Sequence, residues 1–381
     1  MIRIYYAQKD TTLYEKYPTQ NTGIDQILEL TKISSGSKLQ GEIQANTYNS
    51  RVLIDFGSEI TSITNAITSG DIPTFDKGNV LSSSAFLKLY AANASDLLQS
   101  YNIKAFPVSE SWINGGGNYS DTPIQEFGTS WYYRSSDDIA DQWNTGSAAS
   151  VGQMGATETL IGGGTWMIGS GYEASQSFQN ESPDLKIDVT DIVSKWTTGA
   201  LTNNGFIVKR PHLDELSGEV LGKLQFFGRE SHTIYVPRLE VCWDDQINED
   251  TLAAITADTY VPYIKNIKSE YRTSEIARFR VGVRPEFPTK SYTTGSWYHT
   301  KERFPRSSSY SIYDSVTHDV IIQDETEWGN STTKISNDGN GSYFNLRMDS
   351  FMPERYYKIQ LKCVRANDTQ TFDDFYFKVV R

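Results

Sequence analysis

The sequence predicts an all-β protein made of two β-sandwich domains, and three observations support this fold class. Apolar and polar residues alternate with a period of two in many short segments, which is typical of antiparallel strands with one buried face. Clusters of Gly, Pro, Asn and Asp separate these segments and indicate turns. Helical patterns are few, so we expect a helix content well below the ~30% typical of soluble domains.

In the first 245 residues, the opening segment 2–6 has the pattern of a short strand. Segments 51–56 and 238–243 show clear alternation of apolar and polar residues. In the first segment, Arg51 and Asp55 should lie on the polar face. The residues expected to face inward on these two strands are Val52, Ile54, Phe56, Leu239, Val241 and Trp243.

Two short helices are predicted in the same part of the chain. Ser58 should cap the first, over residues 59–67, and Thr190 should cap the second, which Gly199 should end. The second helix would place Ile192, Val193 and Trp196 on one apolar face. We therefore interpret Trp196 as a core residue that closes one end of the sandwich.

A domain boundary is expected after residue 245, with a linker over residues 246–259 and a second β domain over residues 260–381. Residues 250–257 of the linker should make one helical turn. Strand signals recur about every ten residues over roughly 120 residues, which suggests an immunoglobulin-like sandwich. Its inward-facing residues should include Phe279, Val281, Val283, Tyr357, Ile359, Leu361 and Cys363.

The segment Asn337-Asp338-Gly339-Asn340-Gly341 predicts a hairpin turn between two of these strands. It superficially resembles a calcium-binding loop, but Tyr343 stands where that loop needs glycine and Asp349 where it needs glutamate. Calcium bound elsewhere by loop carbonyls and carboxylates stays open, although the sequence does not locate such a site.

The composition excludes several classes of function. The net charge of −12, from 35 Lys and Arg against 47 Asp and Glu, argues against a nucleic-acid partner. The sequence contains no run of about 18 apolar residues, so no membrane-spanning helix is predicted. The two cysteines, Cys242 and Cys363, do not form a disulfide framework.

Catalytic motifs are missing from the sequence. The four histidines, His212, His232, His299 and His318, stand far apart in the chain, and none has the spacing of a metalloprotease. No nucleophile elbow or phosphate-binding loop occurs, and nothing places two carboxylates across one cleft. We therefore expect no enzymatic activity, no cofactor and no metal centre.

Residues 113–181 form a long region rich in Ser, Gly and Asn that also holds many large aromatic residues. Loops of this length usually carry function or are ordered by a partner. The residues proposed to contact a glycan or a protein partner are Trp131, Tyr132, Tyr133, Arg134, Trp143 and Trp166. The alternative is a strand with Trp131 and Tyr133 on one face and Tyr132 on the other.

Two small groups of basic residues are candidate docking points for an acidic neighbouring subunit. Lys209 and Arg210 form the first group, and Lys301, Arg303 and Arg306 form the second. Their alternative interpretation is an ordinary solvated surface.

Several short signatures occur in a fixed order along residues 1–245. They include Asn21-Thr22-Gly23, the segment 50–56, Ser130-Trp131, Asn203-Asn204-Gly205-Phe206 and the segment 237–241. In this order they resemble the DNRLRE family of β-sandwich domains, which are similar to carbohydrate-binding modules. The resemblance implies a jelly-roll-like sandwich with long loops, in which the Trp196 helix covers an open end.

Phrases of the second domain resemble those of structural proteins of tailed bacteriophages. They include residues 284–290, 354–358 and 375–381. The resemblance implies a virion protein of the neck or collar, tail or capsid surface that holds or forms a fibre-like projection. It would be made in the bacterial cytoplasm without a signal peptide. It would assemble with itself as a homo-oligomer and with neck, portal, tail or capsid subunits. The alternative function is a carbohydrate-binding adhesin that recognises host surface glycans through its aromatic loops.

Overall fold

A computed structural model describes most of the chain. It covers residues 1–34, 38–39, 42–43, 47–79, 81–136, 141–143, 153–154, 162–179, 183–265, 267–287, 301–324, 332–365 and 368–381. The predicted all-β fold is confirmed, because strands predominate and the α-helices among these residues are three short segments. In the described part of the chain, no helix is long and apolar enough to cross a membrane.

The chain divides into two compact units. One, here called the C-terminal unit, comprises Met1–Ile4, Gly78–Ser83 and Val241–Arg381. The other, here called the N-terminal unit, comprises Tyr5–Lys77 and Ser84–Glu240. Both cysteines fall within the C-terminal unit, where each side chain is buried and the two do not form a disulfide.

Among the described residues, eighteen strands precede residue 245. They are β1 Ile2–Tyr6, β2 Lys9–Tyr14, β3 Ile27–Ser34, β4 Lys38–Leu39, β5 Glu42–Ile43, β6 Thr47–Asp55, β7 Ser84–Leu89, β8 Ala91–Ser95, β9 Ser100–Pro107, β10 Tyr133–Ser135, β11 Asp141–Gln142, β12 Gln153–Met154, β13 Trp166–Met167, β14 Ala174–Gln179, β15 Leu185–Asp188, β16 Phe206–Lys209, β17 Gly222–Phe227 and β18 Arg238–Cys242. The two large sheets have the orders β1-β18-β7-β15 and β14-β9-β16-β6-β3-β17-β8, and β2 also pairs with β6.

Strand β6 is buried on both faces, which corrects the prediction of a polar outer face. Val52, Ile54 and Phe56 face the interior as expected, but Arg51 and Asp55 are buried as well. The strand pairs with β2 on one side and with β16 on the other, so it lies inside the sheet. Alternation identified the strand correctly but could not show that its polar residues have buried partners.

Three α-helices lie in the described part of the N-terminal unit. They are α1 Ser58–Thr68, α2 Thr190–Thr197 and α3 His212–Leu216. Both predicted caps are wrong, since Ser58 and Thr190 are the first helical residues and neither caps through its side chain. The Gln8 amide oxygen accepts the Ser58 N–H, and the Asp188 carboxylate accepts the Thr190 N–H.

Helix α2 packs as its apolar pattern predicted. Ile192, Val193 and Trp196 are buried, and the Trp196 ring lies 4.6 Å from that of Phe206. The helix ends before Gly199, whose φ of +74° is readily adopted only by glycine.

The C-terminal unit contains two further sheets. Its strands are β19 Tyr260–Lys265, β20 Glu270–Arg272, β21 Ile276–Pro285, β22 Ser309–Asp314, β23 Val320–Ile322, β24 Ser336–Asp338, β25 Gly341–Arg347, β26 Arg355–Val364 and β27 Thr369–Val380. One sheet has the order β19-β21-β25-β24 and the other β20-β27-β26-β22-β23. Aromatic rings fill the core of this unit, with Phe279 stacked on Phe344 and Phe344 on Tyr310.

Most of the local predictions for this unit are confirmed. The inward-facing positions of β21 and β26 are buried, and the hairpin joins β24 to β25 with Asp338 opposite Gly341. Residues 250–257, however, form no helical turn. Asp250 and Thr251 lie in a turn, the remaining residues are extended or bent, and Ala254 bridges to Arg303.

Candidate functional site

A fully buried ion network lies at the centre of the N-terminal unit. Arg51 Nε donates to Glu215 Oε1 at 3.0 Å, and Arg51 Nη2 donates to Glu215 Oε2 at 2.8 Å. Lys209 Nζ lies 2.7 Å from the same Oε2. Burial alone would raise the pKa of Glu215, but the charges of Arg51 and Lys209 overcome it and lower that pKa.

The network fastens helix α3 to the sheet. Burial lowers the pKa of Lys209 to about 8, and the charge of Glu215 opposes this shift. Lys32, on β3, donates from Nζ to the carbonyl oxygens of Asp214, Glu215 and Ser217 at the end of the helix. A cation at a helix C-terminus interacts favourably with the unsatisfied carbonyls there. These contacts are structural, because none of the charged groups reaches solvent.

The expectation that Lys209 and Arg210 form a surface docking point is therefore wrong. Both side chains are buried, and Arg210 Nη2 donates to the Leu221 carbonyl. In the second basic group, Arg303 and Arg306 both pair with Asp250, while Lys301 is exposed.

Two tryptophans enclose the Arg51 guanidinium. Its Cζ lies 4.9 Å from the Trp131 ring centroid and 5.0 Å from that of Trp166. Trp143 is buried in the same cluster, and its indole N–H donates to the Ser130 carbonyl at 3.0 Å. The prediction that these three rings are exposed to a ligand or partner is wrong, because they complete a core around a buried cation.

The other predicted contact residues lie nearer the surface. Tyr132 is exposed, and its ring meets that of Tyr133 edge-on at 6.4 Å. Tyr133 is half-buried, and Arg134 pairs with Asp141 at 2.7 Å. Residues 137–140, 144–152, 155–161 and 180–182 include part of the predicted loop region and lie outside the described residues.

Asn21 joins two loops into one rigid structure, here called the loop pair and made of residues 15–26 and 109–136. Its side-chain Nδ2 donates to the carbonyls of Asn114 and Thr129, at 2.7 Å each. Its Oδ1 accepts the N–H groups of Gly117 at 2.8 Å and Gly23 at 3.2 Å. All four hydrogen-bonding positions of this buried amide are thus satisfied.

Glycines let the second loop approach Asn21 closely. A Cβ on Gly115 would lie 2.4 Å from Asn21 Oδ1, and one on Gly128 would lie 2.8 Å from Asn21 Nδ2. Such contacts are too short for any side chain. Residues 113–136 are therefore held close to Asn21 by hydrogen bonds to its side chain.

The loop pair presents large apolar side chains to solvent. Tyr119 is 46% exposed, Ile124 47% and Phe127 53%. Tyr17 meets the Tyr119 ring edge-on at 5.7 Å, and Ile24 is also exposed. Exposed aromatic and aliphatic residues on a rigid backbone are typical of protein interfaces and ligand-binding surfaces.

Carboxylates lie beside the tyrosines of the loop pair. Asp25 Oδ1 accepts the Tyr119 N–H at 3.0 Å, and burial raises the pKa of Asp25 to about 6. Outside the loop pair, on β2, burial raises the pKa of Asp10 to about 7, although the Arg229 N–H donates to this carboxylate at 2.7 Å. Burial raises the pKa of Tyr119 to about 12, and the hydrogen bond to Tyr17 adds to the shift.

Sequence reasoning missed the residues that organise this site. Asn21 and Arg51 lie within quoted family signatures, so a signal for them existed, whereas nothing in the sequence pointed to Glu215 or Lys32.

Among the described residues, no group of three or more His, Cys, Asp and Glu side chains is placed to hold a metal ion. His299 lies outside the described residues.

Comparisons with known proteins identify no family. No protein-family model matches the chain, and no curated protein matches it. Among solved structures, a Parabacteroides merdae β-glucuronidase is similar at 9% identity and a TM-score of 0.16, and it covers 97% of this chain. A structure of the same enzyme with glycerol in its active site gives 8% identity and a TM-score of 0.17. The chain spans 36% of the length of each of these structures.

Proposed function

We propose that the chain is a structural protein of a tailed-bacteriophage virion that acts by protein–protein assembly. It would belong to the neck or collar, the tail or the capsid surface, and would hold or form a fibre-like projection. The observation that supports an assembly role is the loop pair, where Tyr119, Ile124 and Phe127 stand exposed on a backbone fixed by Asn21.

A fixed backbone favours binding because little conformational entropy is lost when the partner docks. Aromatic side chains are enriched in the buried centres of interfaces. The loop pair therefore has both the composition and the rigidity of a docking surface. The virion itself is proposed from the resemblance of residues 284–290, 354–358 and 375–381 to tailed-phage structural proteins.

The test is incorporation of the protein into particles. Tyr119→Ser, Ile124→Ser and Phe127→Ser combined should leave the protein folded, because each of the three side chains is about half exposed. Quantitative mass spectrometry of purified particles should find the unmodified protein at a fixed copy number and the triple variant strongly depleted.

Leu98→Ser is the matched control, since Leu98 is exposed to the same extent as Ile124 but lies outside the loop pair. It should be incorporated normally. Incorporation of the folded triple variant at the full copy number would refute the loop pair as the assembly surface. Absence of the unmodified protein from particles would refute the virion role itself.

A second candidate function is a glycan-binding adhesin, and the Tyr17–Tyr119 pair favours it. The Tyr17 and Tyr119 rings would stack on the apolar face of a sugar, since Tyr119 is exposed and Tyr17 meets it edge-on. A glycan array would test this function. Binding that is lost in Tyr119→Ala but retained in Leu98→Ser would support the adhesin, and an array without any bound glycan would reject it.

A further inference from the structure

A separate depression lies on the outer face of the sheet β19-β21-β25-β24 in the C-terminal unit. It has a volume of about 180 Å³ and includes Tyr263, Lys265, Gly282, Lys301 and Glu302 in its lining, together with the hairpin residues Asn340 and Gly341. Every one of these residues belongs to the C-terminal unit.

Strand register brings the floor and the aromatic wall together. Gly282 on β21 is directly opposite Tyr263 on β19. A Cβ on Gly282 would lie 2.3 Å from Tyr263 Cζ, so the tyrosine ring crosses the glycine where a side chain would otherwise stand. Gly282 therefore creates a flat floor and sets the position of the aromatic ring beside it.

Positive charge surrounds this floor. Arg280 is directly opposite Lys265 on one neighbouring strand and Tyr343 on the other. Arg278 and Arg280 lie over the Tyr343 ring at 4.6 and 4.8 Å. Opposite residues of paired strands share one face of the sheet, so these cations form a continuous row beside the depression.

Two of the cations are available to a ligand. Arg280 pairs with Asp338 at 2.6 Å, but in the described part of the chain neither Lys265 nor Lys301 forms an ion pair with a carboxylate. Both lysines are exposed, and Lys265 Nζ lies 5.7 Å from the Tyr263 ring centroid. Glu302 is the only acidic residue in the described lining, so the depression is positively charged overall.

We propose that this depression binds one acidic sugar unit, a saccharide ring that carries a carboxylate or a sulfate. The Tyr263 ring would pack against the sugar, and Lys265 and Lys301 would bind its anionic group. Gly282 would leave room for the Tyr263 ring. Nearly all of the net charge of −12 lies in the N-terminal unit, so the C-terminal unit that holds the depression is nearly neutral and does not repel an anionic ligand. This proposal does not depend on whether the protein belongs to a virion.

The test uses the full chain and isothermal titration calorimetry. The probe is a trimer of galacturonic acid, and its methyl ester serves as a neutral ligand of the same shape. We expect the acid to bind and the ester to bind at least about tenfold more weakly, because charge-assisted hydrogen bonds are lost. Binding of the acid should also weaken as salt is added.

Variants assign the binding to this depression. Lys265→Gln combined with Lys301→Gln should reduce affinity for the acid by roughly tenfold or more. Tyr263→Leu should weaken both the acid and its ester, since it removes the aromatic face. Lys268→Gln is the control, because Lys268 is exposed in the same unit but pairs with Glu275 outside the depression.

Several results would overturn the proposal. One is unchanged affinity in the double lysine variant, and another is equal competition by inorganic phosphate, which would indicate an anion site without sugar recognition. A third is failure of the acidic trimer to bind at millimolar concentration. Self-association of the chain that the double lysine variant abolishes, without saccharide binding, would instead assign the depression to an acidic segment of a second copy.

Discussion

Arg51 on β6 and Glu215 on α3 form a two-point ion pair inside the N-terminal unit, with N–O distances of 3.0 and 2.8 Å. Lys209 contacts the same carboxylate, and the Trp131 and Trp166 rings lie within 5.0 Å of the guanidinium. One acidic side chain therefore balances two buried cations. The loop pair depends on this arrangement, because Trp131 lies at the end of its second loop.

Loss of the Glu215 charge should destabilise the protein strongly. Glu215→Gln leaves Arg51 and Lys209 buried without a counter-charge, and breaking a buried pair in this way typically costs about 3–5 kcal/mol. Urea denaturation followed by tryptophan fluorescence would measure the change in the free energy of unfolding.

Glu173→Gln provides the control for that substitution. Glu173 pairs with Lys104 at 2.5 Å, but the glutamate side chain is 46% exposed. Exposed pairs contribute about 0–1 kcal/mol, so this variant should be almost as stable as the unmodified protein. Equal stability of the two variants would show that the buried network does not hold α3 in place.

Trp196 should be a structural residue rather than a ligand-binding one. Its ring is buried against Phe206, and Trp196→Ala should cost roughly 3–5 kcal/mol of stability through lost burial and the resulting cavity. Trp196→Phe should cost less, because most of the ring volume is retained. Thermal unfolding would measure both, and an unchanged melting temperature in Trp196→Ala would refute its role in closing the sandwich.

Alternation in the sequence predicted strands well because each residue's burial depends on its own chemistry. It located β6, β21 and β26 and the residues that face the interior. Alternation failed for Arg51, and the grouping of basic residues failed for Lys209. A buried cation is recognisable only when its partner is known, and Glu215 is more than 150 residues from Arg51.

The candidate site was predicted only in part, for a similar reason. Sequence composition drew attention to the aromatic residues of the region 113–181, but it could not distinguish rings that enclose Arg51 from rings that face solvent. The exposed residues Tyr119 and Phe127 lie close in sequence to the buried residues Trp112 and Trp131. Backbone hydrogen bonds to Asn21 decide which of them faces outward, and such contacts leave no local pattern.

The stability of the protein should fall as the pH rises through neutrality. Burial raises the pKa of Asp10 from 3.8 to about 7, so the folded state holds this proton more tightly than the unfolded chain. Its stabilising effect is complete below about pH 4 and is lost progressively as the pH approaches and passes 7. Asp25, with a pKa raised to about 6, adds a similar loss that is complete at lower pH.

Asp10→Asn should reduce that pH dependence. The amide oxygen can still accept the Arg229 N–H, but the side chain no longer ionises. The free energy of unfolding, measured by urea denaturation between pH 5 and pH 8, should change less with pH in this variant. Asp96→Asn, at an exposed position, should retain the dependence of the unmodified protein. Parallel curves for Asp10→Asn and the unmodified protein would contradict the assignment to Asp10.

The rigidity of the loop pair should depend on a single amide group. Asn21→Asp removes both N–H donors and places a carboxylate against the Asn114 and Thr129 carbonyls. Each unsatisfied buried group costs about 1–3 kcal/mol, so the loops should separate locally while the sheets stay folded. Hydrogen exchange measured by mass spectrometry should show faster exchange in residues 113–129 and unchanged exchange in β6. Asn93→Asp, at an exposed position that contacts Gln225, is the control. If exchange in residues 113–129 were the same in both variants, the Asn21 side chain would not be what fixes the docking surface.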